Sequence, residues 1–322
     1  MKTPMQTEPV DADSHLVEIM ITANHLHPVA QVFSVPSSVS VLEGPSVLEH
    51  LNRIITIETL GMPILGRKDG LICNANGRIL DLATVCNLDG QAIILGNQGT
   101  GKDTRQNLAS GIPWNEDLKV KDADDAISHL VLIGQDPFSC LINMGIEPTD
   151  LSTNNWSELG NSLLSIHSMC PNTIQILTPS SHLNSMIDAL KSSGAQHSDI
   201  DEWRSVRMLS GIMDHHELNP DNLPFELGLS ELVALDKGCY PGQEIHARME
   251  SRGVLARCLV RLKSNDLIPV GKSKIENVGR VSVTDFYQYD EGGVALALIP
   301  YAAEGIEVIR FENEVTAKVE LI

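Results

Sequence analysis

The sequence is poor in positive charge. Only 23 of its 322 residues are Lys or Arg, whereas 42 are Asp or Glu, and the formal net charge is −19. The summed field of such a chain repels phosphates at long range. We therefore exclude a protein that coats nucleic acid, and we expect no direct nucleic-acid partner.

Clustered cysteines and long apolar runs are also missing. The six cysteines lie far apart with no C-x-x-C pair, which argues against a self-contained zinc or iron–sulfur site and for free thiols in a reducing compartment. The longest nearly uncharged apolar run, 292–303, contains Pro300 and is shorter than the roughly 20 residues that a bilayer requires. Residues 1–15 lack the apolar region of a secretory signal. These absences predict a cytoplasmic protein with no membrane partner.

Apolar spacing and turn signals indicate a mixed α+β chain. Short strands within 66–101 are separated by Asn76-Gly77 and Asp89-Gly90, both hairpin signals, and form an antiparallel meander. Helices are predicted at 46–55, with Ser46 as the cap, and at 182–192 and 201–211. After residue 254, a series of short strands predicts a small antiparallel barrel.

One glycine-rich segment nearly matches a phosphate-binding loop. The segment 96–103 follows a predicted strand and precedes a predicted helix, but Asp103 stands where such a loop has the Ser or Thr that binds magnesium. The neighbouring hairpins also imply an antiparallel sheet, whereas phosphate-loop folds use parallel strands. We interpret the segment as a turn between strand and helix, and we keep nucleotide binding through Gly96–Lys102 as an alternative.

A second segment, Lys237–Glu244, reads Lys-Gly-Cys-Tyr-Pro-Gly-Gln-Glu. Its two glycines and its proline force a tight turn that holds Cys239. A helix that begins near Gln243 and the charge of Lys237 both favour a thiolate, and Glu244 opposes them. We predict an exposed, moderately activated thiol; the alternative is a buried cysteine that packs at a domain junction.

The same region concentrates positive charge. Between Lys237 and Lys263 the chain has six basic residues and two acidic ones. A basic island in an acidic protein predicts a binding site for a small anion with carboxylates or phosphates. The alternative is ordinary charge on a strand, because Arg257, Arg261 and Lys263 alternate with apolar neighbours. The nearby His215-His216-Glu217 lacks the partner histidine of a metalloprotease helix and is interpreted as a solvated loop.

The segment Lys237–Glu244, continued by Ala247-Arg248, resembles the signature of the YgfZ branch of the glycine-cleavage T-protein (aminomethyltransferase) superfamily, a folate-binding family. Weaker matches follow in the family's order and span about residues 40–300. They are Leu42–Pro45, Asn76–Leu82, Leu223–Glu226, Leu235-Asp236, Arg252-Gly253, Val278–Val281 and Ala295–Ala297.

The resemblance implies a three-domain ring of mixed and antiparallel sheets around a central folate cleft, with a small β-barrel at the C-terminus. The implied domains are 15–50 joined with 146–252, then 51–145, then 253–322. The implied cofactor is tetrahydrofolate or a one-carbon derivative, and the implied role is assembly or repair of iron–sulfur enzymes, including tRNA-modifying ones. The partners would then be folate and client iron–sulfur enzymes or cluster carriers, and we expect a monomer.

The resemblance also suggests site residues. Cys239, Lys237 and Asp81 are assigned to catalysis, with Cys239 at the mouth of a reduced-pterin pocket and in transient contact with a cluster. Seven residues are assigned to folate binding: Arg78, Trp203, Glu226, Tyr240, Gln243, Glu244 and Arg248.

The chain departs from the family at a position that bears on the pterin. Where relatives read Arg-Ile-Glu-Ala-Gly, this chain reads Arg207-Met208-Leu209-Ser210-Gly211, and in the aminomethyltransferases that glutamate hydrogen-bonds the pterin. A pterin edge buried against Leu209 leaves donors unsatisfied, at a cost of about 1–3 kcal/mol. The partner of the pterin is then Asp81, Glu226 or backbone groups, or the affinity for folate is weak.

The alternative function is a tetrahydrofolate-dependent aminomethyltransferase or methyltransferase. In the aminomethyltransferases an aspartate beside the corresponding hairpin lies near the transferred carbon, and Asp81 follows Arg78-Ile79-Leu80. The glycine-cleavage enzymes lack the cysteine octapeptide, which favours the maturation role. Whether the protein is an enzyme stays open at this point.

Overall fold

The computed structural model describes residues 26–322 except 254, 277, 290, 291 and 313. The N-terminal stretch and the expected start of the first domain at residue 15 lie outside the described residues. In the described part, most regular structure is in three β-sheets with a few short helices, so the α+β class is confirmed.

Two sets of elements make up this structure, named here in chain order. The strands are β1 (Gln31–Ser34), β2 (Ser38–Glu43), β3 (Arg67–Cys73), β4 (Ile79–Leu88), β5 (Gln91–Gly96), β6 (Lys119–Asp122), β7 (Ile127–Ile133), β8 (Ser157–Leu159), β9 (Ser162–His167), β10 (Cys170–Pro179), β11 (Gln196–His197), β12 (Arg257–Ser264), β13 (Gly271–Ile275), β14 (Gly279–Tyr289), β15 (Gly292–Pro300), β16 (Val308–Arg310) and β17 (Thr316–Leu321). The α-helices are α1 (Val47–Ile54), α2 (Gly101–Ser110), α3 (Phe138–Asn143), α4 (Leu183–Ser192), α5 (Ile200–Leu209) and α6 (Gln243–Arg252). Short 3₁₀ turns occur at Pro148–Asp150, Ser180–His182, Pro224–Leu227, Ser230–Leu232 and Tyr301–Ala303.

Sheet 1 has the strand order β11-β1-β7-β10-β9-β8, and sheet 2 has the order β3-β4-β5-β2-β6. Sheet 2 is antiparallel throughout and contains the predicted meander. The turn glycines Gly77 and Gly90 have φ of +71° and +70°, a left-handed conformation that glycine adopts without steric cost. The two hairpin predictions are therefore confirmed.

Each of these sheets has one face covered by helices. In sheet 2, α1 and α2 bury Leu51 and Leu108 against Val85 and its neighbours. In sheet 1, α3 and α4 cover the face that contains Leu132. The two remaining faces meet in part, with Val39, Ile93 and Leu95 of sheet 2 packed with Leu163 and Leu177 of sheet 1. This arrangement leaves a space between the sheets, closed on one side by α5.

Sheet 3 follows at the C-terminus, with the antiparallel order β13-β14-β15-β12-β17-β16. It encloses its own apolar core. In the described part of the chain, its edge strands β13 and β16 do not pair, and a groove lies between them, lined by residues such as Lys274 and Val308. The expected barrel is therefore a curled half-barrel whose edges are not joined by hydrogen bonds.

Three other expectations meet the structure here. The helices α1, α4 and α5 lie where they were predicted, within a few residues. Ser46 does not cap α1 with its side chain, because its hydroxyl donates to Glu116 instead. Sheet 1 takes 31–34 and 127–197, and sheet 2 takes 38–122, so the first sheet is discontinuous in sequence; the division into three domains stays a prediction. Within the described residues, every helix is too short or too polar to span a bilayer.

Candidate functional site

A central cavity of about 160 Å³ lies between the uncovered faces of sheets 1 and 2, with α5 and the segment 212–216 as a third wall. Side chains alternate along a strand, so every second residue reaches it. Leu82 and Thr84 of β4 line the cavity, whereas Asp81 and Ala83 do not. Pockets for drug-sized ligands measure about 300–1,000 Å³, so this one has room for a ring system rather than for a whole folate-sized molecule.

Two buried histidines line the cavity from sheet 1. His129 lies on β7 and is 8% exposed, and His167 ends β9 and is 7% exposed. Burial, with smaller contributions from the charges of His167 and Arg67, lowers the pKa of His129 to about 3. Burial also lowers the pKa of His167 to about 4. Both imidazoles are therefore neutral at pH 7.

The arginines in the cavity wall are ion-paired with carboxylates of the chain. Arg207, fully buried on α5, forms ion pairs with Asp214 (2.9 Å), Glu217 (3.0 Å) and Asp285 (2.5 Å). Arg204 pairs with Asp285 at 2.6 Å. Burial opposes ionisation of Asp214, but the hydrogen bond from His216 and the charge of Arg207 lower its pKa to about 2. Among the described lining residues, both arginines have carboxylate partners, so the cavity suits an uncharged ring.

Asp81 lies on the other face of sheet 2, beneath α2. Its carboxylate accepts hydrogen bonds from Asn97 (backbone N, 3.0 Å, and side-chain Nδ2, 2.9 Å), Thr100 (2.8 Å) and Thr104 (2.6 Å). Burial raises the pKa of Asp81, and these hydrogen bonds oppose the rise. A Cβ at Gly96 would lie 2.4 Å from Asp81 Oδ2, which explains a glycine there. The phosphate-loop-like segment thus surrounds a carboxylate of the chain itself, which disfavours the nucleotide alternative.

The segment 214–216 also belongs to the cavity wall. Asp214, His215 and His216 each offer a ligand atom within 4.8 Å of the others, a group that could hold a metal ion. Asp214 is already hydrogen-bonded to His216 Nδ1 at 2.8 Å and paired with Arg207. The same geometry is therefore explained equally well by a turn whose polar groups bond to one another without a metal ion. Glu217 is fully buried. The interpretation of His215-His216-Glu217 as a solvated loop is therefore wrong for Glu217, whereas the side chains of His215 and His216 are 38% and 33% exposed.

The Cys239 turn lies away from the cavity lining. Cys239 is exposed, as predicted, and α6 begins at Gln243, as predicted. No residue of Lys237–Glu244 lines the cavity, so the expected position of the sulfur at its mouth is not found. The turn instead packs on α1 and on the β3–β4 hairpin, where Lys237 donates to the Asn52 carbonyl.

Other residues of this segment hold the turn together. Burial lowers the pKa of Lys237 to about 8, and its ammonium lies 5.0 Å from the centre of the Tyr240 ring. Tyr240 is buried in an apolar core, and burial raises the pKa of its hydroxyl. Gln243 donates to the carbonyls of Leu235 and Lys237 at 3.3 Å. These contacts give the turn a defined shape without lining the cavity.

The remaining assigned residues are divided between two places. Trp203 lines the central cavity, 5.3 Å from the Phe33 ring centre. Arg78 and Glu226 line a separate surface groove, where Glu226 is ion-paired with Arg257. Glu244 and Arg248 pair with each other on the exposed face of α6. Of the ten residues assigned from the sequence, Trp203 alone is among those that line the cavity.

The predicted basic island is not a single surface. Arg257 pairs with Glu226, and Arg261 and Lys263 both pair with Glu320. Lys237 is buried, and Arg248 pairs with Glu244. These pairs favour the alternative of ordinary charge on a strand, because three of the cations pair with acids, Glu226 and Glu320, that lie outside the stretch in which charges were counted.

Sequence reasoning missed most of the cavity wall. His129, His167 and the arginines Arg204 and Arg207 come from three separate elements, and no sequence spacing links the three elements. One signal was present: on the side of the strand Ile127–Ile133 that presents Val131, His129 is the one polar residue. A lone polar residue at an inward position of a buried strand is unusual enough to mark a site.

Comparison with solved structures identifies the fold. The chain is similar to the glycine cleavage system aminomethyltransferase T from Bartonella henselae, with 18% identity, coverage of 94% of this chain and 88% of that chain, and a TM-score of 0.78. A chain of heterotetrameric sarcosine oxidase from Corynebacterium sp. U-96 gives a TM-score of 0.38 at 14% identity over 56% of this chain and 91% of that chain, which is too low to support an argument. No family model and no curated protein matches the sequence. The chain thus has the fold of the T-protein aminomethyltransferases.

Proposed function

We propose that this protein, as a member of the YgfZ branch, binds tetrahydrofolate or a one-carbon derivative with its pterin ring in the central cavity and supports the assembly or repair of iron–sulfur enzymes through Cys239. The observation that supports folate binding most strongly is the T-protein fold together with a cavity whose two lining arginines are ion-paired with carboxylates of the chain. The neutral ring of a reduced pterin matches such a wall.

The residues present fit this ligand. Trp203 offers an aromatic face, and His129 and His167 offer neutral polar atoms to a ring that has both donors and acceptors. Nε2 of His129 is buried without a hydrogen-bond partner in the described part of the chain, which is costly unless a ligand or water satisfies it. When bound, the folate would supply one-carbon chemistry.

The thiol role is supported by exposure. Of the six cysteines, all of them described, Cys239 is the one classed as exposed. Cys73 and Cys86 are buried, so a partner cannot reach them. Burial also raises the pKa of both thiols to about 12, so they stay protonated at neutral pH. A single accessible sulfur can contact a cluster only transiently or together with ligands from a partner.

The test is a Cys239→Ser variant expressed as the sole copy in cells whose cluster-dependent enzymes are assayed. We expect a folded protein that binds tetrahydrofolate and no longer supports those enzymes. Cys258→Ser, at a half-buried thiol on β12, is the matched control and should retain support. Undiminished cluster-enzyme activity with Cys239→Ser would contradict the maturation role.

The fold also keeps a tetrahydrofolate-dependent aminomethyltransferase or methyltransferase as a second candidate. Its weakness is that Asp81 faces α2, and the β4 residue that lines the cavity next to it is Leu82. Folate-dependent turnover of an aminomethylated or methylated donor by the purified protein would favour this candidate.

A further inference from the structure

A second concave surface lies between sheet 3 and the segment that precedes α6. This groove has a volume of about 820 Å³, within the range of about 300–1,000 Å³ that small-ligand sites occupy. Strands β13 and β14 contribute one wall, and the segment 220–226 and the turn before β4 contribute another. Its lining residues are all different from those of the central cavity, so the groove is a separate candidate site.

The groove concentrates positive charge in an acidic protein. Five of its eleven lining residues are basic and two are acidic, whereas acids outnumber bases 42 to 23 over the whole sequence. A concave surface lined by one sign of charge attracts ions of the opposite sign. The basic residues come from the β3–β4 turn, β12, β13 and β14, so no single stretch of sequence displays them; they are Arg78, Arg257, Lys272, Lys274 and Arg280.

The two acids of the groove are each already paired with one of these cations. Glu226, which is buried, is paired with Arg257 at 2.6 Å. Asp221 is paired with Lys272 at 3.2 Å, and both of these side chains are exposed. The acids therefore account for two of the five cations and leave three.

The three remaining cations have no carboxylate partner in the described part of the chain. Arg78 donates to the backbone carbonyl of Asp221, which has no net charge. Lys274 and Arg280 are exposed and stand directly opposite each other in the pairing of β13 with β14, so their side chains lie on the same face of sheet 3. Like charges at opposite positions destabilise a sheet. A bound anion would remove this repulsion.

We propose that the groove binds a compact small-molecule anion with about three negative charges, carried on phosphate or carboxylate groups. Three cations without carboxylate partners match that charge. The guanidinium groups of Arg78 and Arg280 can each donate two parallel hydrogen bonds to either kind of anionic group. This site goes beyond the proposed function, because it does not depend on folate in the central cavity.

The test is calorimetric titration of the full chain with pyrophosphate and, separately, with citrate, which have similar charge on different anionic groups. We expect one-to-one binding of at least one probe, with an affinity that falls as salt is added. Lys274→Gln and Arg280→Gln should each weaken binding about 3-fold to 5-fold, and together about 10-fold or more, because each removes a cation from an exposed site. The probe that binds more tightly identifies the preferred anionic group.

Lys102→Gln is the matched control. It removes the same charge as Lys274→Gln, from an exposed lysine in the phosphate-loop-like segment outside the groove. The affinity for both probes should stay unchanged. If Lys102→Gln weakened binding as much as Lys274→Gln does, the anion would belong to that segment and the proposal would fail.

Melting temperatures distinguish a ligand site from cations that stabilise the fold. Without an anion, Arg280→Gln should melt at the same temperature as wild type or higher, because the repulsion with Lys274 is gone. The probe that binds should raise the melting temperature of wild type more than that of the double variant.

Three results would overturn the proposal. The first is that wild type binds neither probe at millimolar concentration. The second is that the double variant binds them as tightly as wild type does. The third is that a short single-stranded RNA binds more tightly than either probe at the same salt concentration, which would identify a nucleic-acid surface instead of a small-molecule site.

Discussion

The central cavity and the Cys239 turn differ in how they are built. The cavity is assembled from residues such as Ser37, His129, His167 and Trp203, which are far apart in sequence and come together through sheet pairing and α5. The Cys239 turn is one continuous segment that displays its sulfur on the surface. The conspicuous motif thus marks an exposed group, while the enclosed site has no motif.

Ion pairs also differ between the buried cavity wall and the exposed face of α6. Breaking the buried pairs should give the largest loss of stability. Arg207→Leu leaves three carboxylates, Asp214, Glu217 and Asp285, with one cation fewer in a buried position, and should lower the free energy of unfolding by about 3–5 kcal/mol. Arg248→Leu, which breaks the exposed pair with Glu244 on α6, should leave urea unfolding unchanged. Equal effects of the two substitutions would show that the cavity wall is not held by this network.

Substitution of Asp81 should give the next largest loss of stability, and it distinguishes a structural role of this carboxylate from a catalytic one. Asp81→Asn places an amide donor against the hydroxyls of Thr100 and Thr104, so we expect a loss of about 1–3 kcal/mol in unfolding free energy. Affinity for tetrahydrofolate should change little, because Asp81 does not line the cavity. A fully stable variant that has lost folate-dependent turnover would instead place Asp81 at the transferred carbon.

A smaller effect should appear only as a function of pH. In the unfolded chain, His129 and His167 become protonated below their ordinary pKa of 6.5. In the folded protein they stay neutral down to about pH 4 for His167 and about pH 3 for His129. The free energy of unfolding should therefore fall as the pH drops from 6.5 through about 4. His129→Leu should reduce that fall. An identical pH profile in the variant would show that His129 is not a buried neutral imidazole. Asp214, with a folded pKa of about 2, contributes a separate loss at lower pH.

Local features of the fold were predictable from the sequence. The hairpin predictions depend on the left-handed backbone conformation of Gly77 and Gly90, which is a local property. The prediction of α4 depends on apolar residues at helical spacing. The exposure of Cys239 followed from its glycine- and proline-rich turn.

Long-range features were not predictable. The pairing of β7 with β1 joins residues about a hundred positions apart, and its pairing with β10 joins residues about forty to fifty positions apart. No local signal encodes either choice. Strand alternation decides that Leu82 rather than Asp81 lines the cavity, and a shift of one residue in reading the hairpin reverses the assignment. Arg257 pairs with Glu226, and Arg261 pairs with Glu320. Both acids lie outside the segment 237–263 over which charges were counted, so the count overstated the free positive charge.

The most direct test of the separation between cavity and thiol is the alkylation rate of Cys239, measured with and without saturating tetrahydrofolate and with Cys239→Ser as the background. Because Cys239 is exposed and no residue of its turn lines the cavity, we predict the same rate in both samples. Strong protection of Cys239 by the ligand would contradict this account and bring the sulfur to the folate.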